Sequence, residues 1–261
     1  MGAVWITGAS SGIGKACALR YASMGRSLVL TSSSRPKLEA VAAECLSLGA
    51  PEARVLPCDF RNPEGLEELV REAWRLCGRI DILFCNAGVS QRTTVLDTSM
   101  ETVRELMEIN FFSPVRMAGA ILPLMLEAGG GTIAVTTSIA GRFGFPLRCV
   151  YSSSKHALYG FFETLRAEYY SKGIRVTLVC PGRVRTDISL NARDKGGLPH
   201  GVMDSGQAGG LPPEKAARRI VRAIGRGRRE VLVGGSELLM VQIKRFFPGL
   251  CAWIGRHIKA I

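Results

Sequence analysis

Short apolar or β-branched runs alternate with longer amphipathic segments along most of the chain. AVWIT (3–7), SLVLT (27–31), ARVLPC (53–58), DILFC (81–85), TIAVTT (132–137), IRVTLV (174–179) and EVLV (230–233) have the length and composition of strands. Between them, segments such as GIGKACALRYASMG and EGLEELVREAWRLCG repeat apolar residues at the three- and four-residue spacing of a helix packed on one face. The polar stretch TSSSRPK (31–37) opens a further helix: Ser34 stands at its cap position, Pro36 in its first turn, and Leu38, Val41 and Ala42 form an inward stripe. Alternation of this kind predicts an α/β fold in which right-handed crossovers build one doubly wound parallel sheet of about seven strands with helices on both faces. Neither a linker nor a repeat divides 1–261, so a single domain is expected. Two segments depart from the pattern. A loop at about 187–213 crowds six glycines into NARDKGGLPHGVMDSGQAGGLPP, as a mobile flap over a site would, and an amphipathic segment runs from about 237 to 261.

Composition narrows the classes. With 47% hydrophobic and 21% charged residues, the 261-residue chain can bury a sizeable core, which excludes intrinsic disorder as its general state. Eight cysteines without a C-x-x-C pair, several inside strand runs, read as buried thiols of a reducing compartment. His156, His200 and His257 are not spaced as metal ligands, so no metal site is expected. The first strand begins almost at residue 1, so a cytoplasmic protein is expected. Net charge is +12, and from Leu211 to Ile261 eleven lysines and arginines face Glu214, Glu230 and Glu237. The arginine-rich RRIVRAIGRGRRE carries no nucleic-acid recognition motif and reads as a solvated helix face.

The first strand runs into TGASSGIG (7–14), where glycines at 8, 12 and 14 let backbone approach a pyrophosphate at the start of a helix. With a strand before it and a helix after it, this is a Rossmann-type dinucleotide turn. Further elements fall just past strand ends: Asn86-Ala87-Gly88, Ser138, Tyr151 and Lys155 as Y-x-x-x-K, and Pro181-Gly182. In their order and spacing, TGASSGIG, NAG, the serine thirteen residues before the tyrosine, YSSSK and PGRVRT resemble the short-chain dehydrogenase/reductase family over nearly the whole chain. The loop and tail, in NAR…GVMD and FFPGL, resemble its acyl-dihydroxyacetone-phosphate reductase branch.

The resemblance implies a catalytic set of Asn110, Ser138, Tyr151 and Lys155 that transfers hydride between nicotinamide and a carbonyl or secondary alcohol. Tyr151 would be the acid, Ser138 would orient the carbonyl oxygen, and Asn110 would hold a water connecting Lys155 to solvent. Moving a phenol from a pKa of about 10 toward 7 takes about 4 kcal/mol, which a positive charge about 4 Å away at an effective dielectric near 20 supplies; Lys155 is expected to carry it. Cofactor contacts carry over to Gly8, Ser10, Gly12, Ile13 and Gly14 at the pyrophosphate and ribose, Asp59 and Phe60 at the adenine, Asn86, Ala87 and Gly88 on the adenosine side, and Pro181, Gly182, Val184 and Thr186 at the nicotinamide. Tyr151 and Lys155 would also touch the cofactor. Asp59 has a second reading as a strand-end cap.

At the end of the second strand, where an NAD-preferring fold places a carboxylate, stand Ser32, Ser33 and Ser34 followed by Arg35. Hydroxyls with a guanidinium suit a 2′-phosphate, so NADP(H) is the expected cofactor, with NAD(H) as the alternative. For a substrate tail, Phe143, Phe145, Val202 and Met203 offer an apolar pocket around the flap, which points to a hydrophobic or lipid-like ketone. Small ketones, 3-oxoacyl thioesters or a dinucleotide sensor without turnover are the other readings. ELLMVQIKRFFPGLCAWIGRHIKAI interleaves apolar residues with Lys244, Arg245, Arg256 and Lys259, the pattern of an interfacial anchor or of a helix packed on its own domain or on a partner subunit. The family resemblance implies a homodimer or homotetramer, and without a recognition motif no nucleic-acid partner is expected.

Overall fold

Each of the seven apolar runs forms a strand in the computed structural model, which describes residues 2–62 and 64–257. The strands are β1 (Ala3–Thr7), β2 (Leu28–Thr31), β3 (Ala53–Val55), β4 (Ile80–Cys85), β5 (Gly131–Thr136), β6 (Ile174–Pro181) and β7 (Glu230–Val233). All pair in parallel in the order β3-β2-β1-β4-β5-β6-β7. β3, on the edge, is shorter than expected. Leu56 and Cys58 still donate to Leu30 and Ser32 at 3.0 Å each, but Pro57 lacks an N–H and regular pairing stops at Val55.

Helices α1 (Gly12–Ala22), α2 (Arg35–Ser47) and α3 (Leu66–Cys77) make the first crossovers. α4 (Met100–Met107) continues through a π-helical turn at Glu108–Phe112 into α5 (Ser113–Glu127), and α6 (Cys149–Tyr169) follows β5. Successive side chains of the buried strands feed opposite layers, which is why their sequences read as unbroken apolar runs. Val4 and Ile6 pack with Leu28 and Leu30 under α1, whereas Trp5 and Val29 join the layer of Leu83, Met117 and Ile121 on the other face. The run Met100–Glu127 is long and apolar enough by composition to cross a membrane, yet Ile109, Met117, Ile121 and Met125 are spent on this second layer.

The glycine-rich loop runs over the sheet's carboxyl end. It contains one short helix, α7 (Ser205–Ala208), and bridges Gln91 to Arg193 and Val184 to Leu211. After α8 (Pro213–Gly225) and β7, the amphipathic tail forms two helices, α9 (Leu239–Phe246) and α10 (Pro248–His257), broken before Pro248. Met240, Val241, Ile243 and Cys251 turn inward against Phe143 and Phe145. Lys259 lies outside the described residues.

Candidate active site

Strand order reverses between β1 and β4, and a cavity of about 630 Å³ opens beside their carboxyl ends. Gly8, Ser10, Gly12 and Ile13 line one end. Gly12 takes a left-handed φ of 53° as α1 begins, and a Cβ there would come within 2.9 Å of Thr186 Cγ2. Gly14 stands behind the lining: a Cβ would fall 2.1 Å from the Gly8 carbonyl oxygen, so only hydrogen lets the helix start close on the turn. Ser11 caps this helix in position without bonding it, which leaves first-turn N–H groups facing the cavity.

Asn86 fastens three strand ends. Its Nδ2 donates to the Thr7 carbonyl at 3.2 Å, its Oδ1 accepts from Thr136 Oγ1 at 3.1 Å, and its N–H and that of Ala87 both donate to Thr7 Oγ1, at 2.9 and 3.0 Å. Ala87 and Gly88 continue the wall, and Pro181, Gly182, Val184 and Thr186 form the wall facing it. Toward β2 the cavity is lined by Ser32, Ser33, Asp59 and Phe60. The Ser32 hydroxyl is enclosed without a hydrogen-bond partner. Ser34 occupies the cap of α2 without a capping bond, and Arg35, exposed, lies 3.7 Å from Glu39; neither lines the cavity. Asp59 is engaged by Arg61, whose main-chain N–H and Nε each lie 3.0 Å from Oδ1, and this pairing holds the Asp59 carboxyl below its usual pKa.

The four expected catalytic residues meet at the centre. Tyr151 and Lys155 lie one turn apart on α6, both buried, with Nζ 5.9 Å from the phenol ring centre. Ser138 is held extended by a 3-10 turn, Ile139–Gly141, accepts from the Ala140 N–H at 3.2 Å, and lies beside the Tyr151 hydroxyl. Lys155 Nζ donates to the Thr136 carbonyl at 2.7 Å. The π turn brings Asn110 inward, where Oδ1 accepts from the Val89 N–H at 2.9 Å and Nδ2 donates to the Val89 carbonyl at 2.9 Å and to Ser154 Oγ at 3.0 Å. A Cβ on Gly88 would lie 3.1 Å from Asn110 Oδ1 and 3.3 Å from Lys155 Nζ, so both groups face that glycine.

The electrostatics differ from the expectation built on Lys155. Burial drives the Lys155 ammonium down to about 7. Burial also raises the Tyr151 phenol, opposed first by Ser138 and then by the charges of Arg148 and Arg92. The cations acting on the phenol are therefore two arginines that sequence reasoning missed. Arg92 lies six residues after Asn86, and Arg148 sits at the cap of α6, three residues before Tyr151. That one-turn spacing was the available signal. Both bind Asp204 of the loop: Arg92 through Nε at 3.2 Å and a shorter second contact, Arg148 through Nη2 at 2.8 Å.

The expected apolar tail pocket is only partly present. Phe145 lines the cavity, but Phe143 is buried beside Cys180 and Cys251, Val202 is exposed, and the Met203 sulfur accepts from Ser189 Oγ. The loop turns polar Asp204 inward to meet the arginines; of its apolar side chains Ile188 lines the cavity, while Leu198 and Val202 are exposed.

A glycine turn with open N–H groups, an unpartnered Ser32 hydroxyl and a tyrosine–lysine–serine cluster in one cavity fit a dinucleotide beside a reacting carbonyl. Fold and site together define a dinucleotide-dependent oxidoreductase. The chain belongs to the short-chain dehydrogenase/reductase family, whose profile, described as short chain dehydrogenase, matches residues 2–196. Among curated proteins it is 39% identical over 253 residues to dehydrogenase/reductase SDR family member 7B of Xenopus laevis, covering 95% of this chain and 78% of that one. It is 35% identical over 255 residues to the SDR family protein 7-like of Drosophila melanogaster, covering 96% and 78%. A short chain dehydrogenase/reductase from Burkholderia phymatum in complex with NAD superposes with a TM-score of 0.84 at 26% identity, over 95% of both chains. One from Sphingobium yanoikuyae in complex with NADPH gives 0.80 at 25% identity, over 99% of this chain and 97% of that one.

Proposed function

We propose that this oxidoreductase uses NADP(H) to reduce a hydrophobic or lipid-like ketone. The observation that carries the reading is the meeting of Ser138, Tyr151 and Lys155 in one cavity lined by the dinucleotide turn. Bound at that turn, the cofactor supplies the hydride.

The chain's residues do the rest. Ser138, fixed by Ala140, offers its hydroxyl to the carbonyl oxygen without having to reorganise. Tyr151 delivers the proton from its hydroxyl as negative charge develops on that oxygen; burial keeps the phenol protonated until then, and Arg148 and Arg92 ease its ionisation. Lys155, anchored on Thr136 and held down to about 7, can take or release a proton near neutrality and so reset Tyr151. Both amide hydrogens of Asn110 are committed, so toward a water it acts as an acceptor and as the brace that holds Val89 and Ser154.

Three serines and Arg35 at the end of β2, with no carboxylate before Glu39, support NADP(H) over NAD(H). Support for an apolar substrate comes from Phe145, shared between the cavity and the cluster under α9 and α10. The outer side of this helix pair exposes Phe246, Phe247 and Trp253 among Lys244, Arg245 and Arg256, which supports contact of a cytoplasmic enzyme's tail with an anionic membrane surface, the cytoplasmic location itself being the expectation from the sequence. Phe112, half exposed where the π turn meets α5, offers an apolar contact for a homodimer or homotetramer. Oxidation of NADPH against matched long-chain and short ketones tests the reading: turnover favouring long chains supports it, and no turnover with any ketone refutes it.

A further inference from the structure

The helix that carries Tyr151 and Lys155 has no cap of its own. At its N-cap stands Arg148, whose side chain makes no capping bond and has no acceptor to offer, and Leu147 before it takes a left-handed φ of 61°. Leucine is disfavoured in that region, so the entry to the helix is strained. A first turn whose N–H groups lack partners frays. Tyr151 is the third residue of α6 and sits in that turn.

The missing acceptor arrives from 59 residues upstream. Gln91 lies in the loop after β4, wholly buried, between Ser90 and Arg92, which line the cavity while Gln91 stands behind its wall. Its Oε1 accepts from the Val150 N–H at 2.9 Å and from the Tyr151 N–H at 3.3 Å, the two donors that an N-cap side chain ordinarily serves. The amide is held from its other end as well. Nε2 donates to Thr93 Oγ1 at 2.6 Å and Thr98 Oγ1 at 2.7 Å, with Cys149 Sγ 3.2 Å away. Main-chain bonds fix the loop around it: the Arg92 N–H donates to the Arg193 carbonyl at 2.7 Å, the Arg193 N–H to the Ser90 carbonyl at 2.9 Å, and the Thr93 N–H to the Leu147 carbonyl at 3.2 Å. A side chain fastened at both ends cannot follow a shifting helix, and so opposes the shift.

From this geometry we infer that Gln91 is a positioning residue, which acts through Tyr151 by bracing the first turn of α6 so that the phenol keeps its place in the catalytic cluster. Proton delivery depends on that place, since a displacement of about 1 Å costs about 10²-fold in rate. Charge explains why the brace is a glutamine. A carboxylate would cap the same N–H groups, but buried beside Tyr151 it would oppose the ionisation that Arg148 and Arg92 ease. The neutral amide satisfies the donors and leaves the field at the phenol positive. The inference rests on the reading of Tyr151 as proton donor and adds the group that holds it.

Hydrogen exchange and two variants decide it. In the unaltered protein, residue-resolved exchange should find the amides of Val150 and Tyr151 at least about tenfold slower than that of Cys149, the first of the helix. Fast exchange at both overturns the brace whether or not any variant folds. In Gln91→Met, which keeps the length and fills the space, both amides should exchange at least about tenfold faster, and kcat with the best ketone should fall at least about tenfold while NADPH affinity stays within about twofold. A glutamine that only stabilised the fold would lower the melting temperature and leave kcat unchanged, which overturns the inference. Gln91→Glu keeps an accepting oxygen and adds a charge, which Arg92 and the helix N-terminus hold ionised. It should retain slow exchange and raise the pH of half-maximal alcohol oxidation, the direction that starts from the phenolate, by about half a unit or more. The groups already around the phenol, Arg148, Arg92, Lys155 and Cys180, are the same in both proteins, so the movement belongs to the carboxylate. Full kcat in Gln91→Met, or an unmoved profile in Gln91→Glu, refutes the brace and leaves the reductase reading intact. Slow exchange that depends on Gln91, in a protein that reduces no ketone, supports the brace and refutes the reductase reading.

Discussion

The Nζ of Lys155 lies 2.7 Å from the carbonyl oxygen of Thr136 and has no carboxylate beside it, so its desolvation is offset by a dipole and not by a charge. Burial lowers its pKa from 10.5 to about 7. Between about pH 7 and pH 10 the unfolded chain therefore holds a proton that the folded one has released, and stability at this position rises with pH. The penalty is fully present below pH 7 and amounts to at most about 5 kcal/mol. Lys155→Met should melt at a higher temperature relative to the unaltered, cofactor-free protein at pH 6 than at pH 9. Thermal unfolding at the two pH values checks this, and a difference independent of pH contradicts it.

Tyr151 is 8% exposed and its ring is packed, so Tyr151→Phe removes a hydroxyl without opening a cavity. Turnover is expected to fall by about 10²- to 10⁴-fold, the usual worth of a positioned proton donor, with NADPH affinity held within about twofold. Steady-state rates and a fluorescence titration check the two halves separately.

The side chain of Arg35 is 62% exposed and held only loosely by Glu39 at 3.7 Å, so it is free to reach a phosphate at the end of β2. Arg35→Ala should weaken NADPH binding by about tenfold and leave NADH nearly unchanged, since the guanidinium would act on the 2′-phosphate alone. Titrations of both cofactors decide the preference; equal losses for the two would remove Arg35 from that role.

Replacing Gly14 by alanine sets a methyl group 2.1 Å from the Gly8 carbonyl and 2.7 Å from Asn86 Nδ2. Backbone cannot yield as a side chain does, so a loss of more than about 3 kcal/mol is expected in urea unfolding, together with loss of cofactor binding. An unaltered midpoint would show that α1 can back away from the turn.

Phe246, Phe247 and Trp253 are all more than half exposed, so changing the three to serine removes apolar area from solvent without disturbing Met240, Val241 or Ile243 beneath. At about 1.5 kcal/mol or more for each side chain buried in lipid, the triple variant should lose more than about tenfold in affinity for phosphatidylserine vesicles. Co-sedimentation at low and high salt measures it, and binding equal to that of the unaltered protein argues against the membrane contact.

Strands, crossovers and the dinucleotide turn were readable because their signals are local: unbroken apolar runs, and glycines where backbone needs no Cβ. The places of Ser138, Tyr151 and Lys155 were readable for the same reason, since serine lies at a strand end and the other two lie one turn apart. The surroundings were not. Arg92 and Asp204 are separated by more than a hundred residues and meet only because the glycine-rich loop folds back over β4. Nor does spacing reveal that a lysine in a serine-rich helix start will be stripped of water, or that Phe143 packs in one cluster with Cys251. Strand ends drifted by one to three residues, the most at β3, where the missing N–H of Pro57 weighs more than the apolar run.

The π turn at Glu108–Phe112 accommodates one residue more than α-helical spacing allows. Deleting that residue would do more than withdraw Asn110. Everything downstream on α5 would rotate by about 100°, taking Met117, Ile121 and Met125 off the sheet. The helix cannot relax to regular spacing without unpacking the core, so the asparagine's inward position is locked in by hydrophobic registry some two turns away, and the fold itself guards the active site against drift.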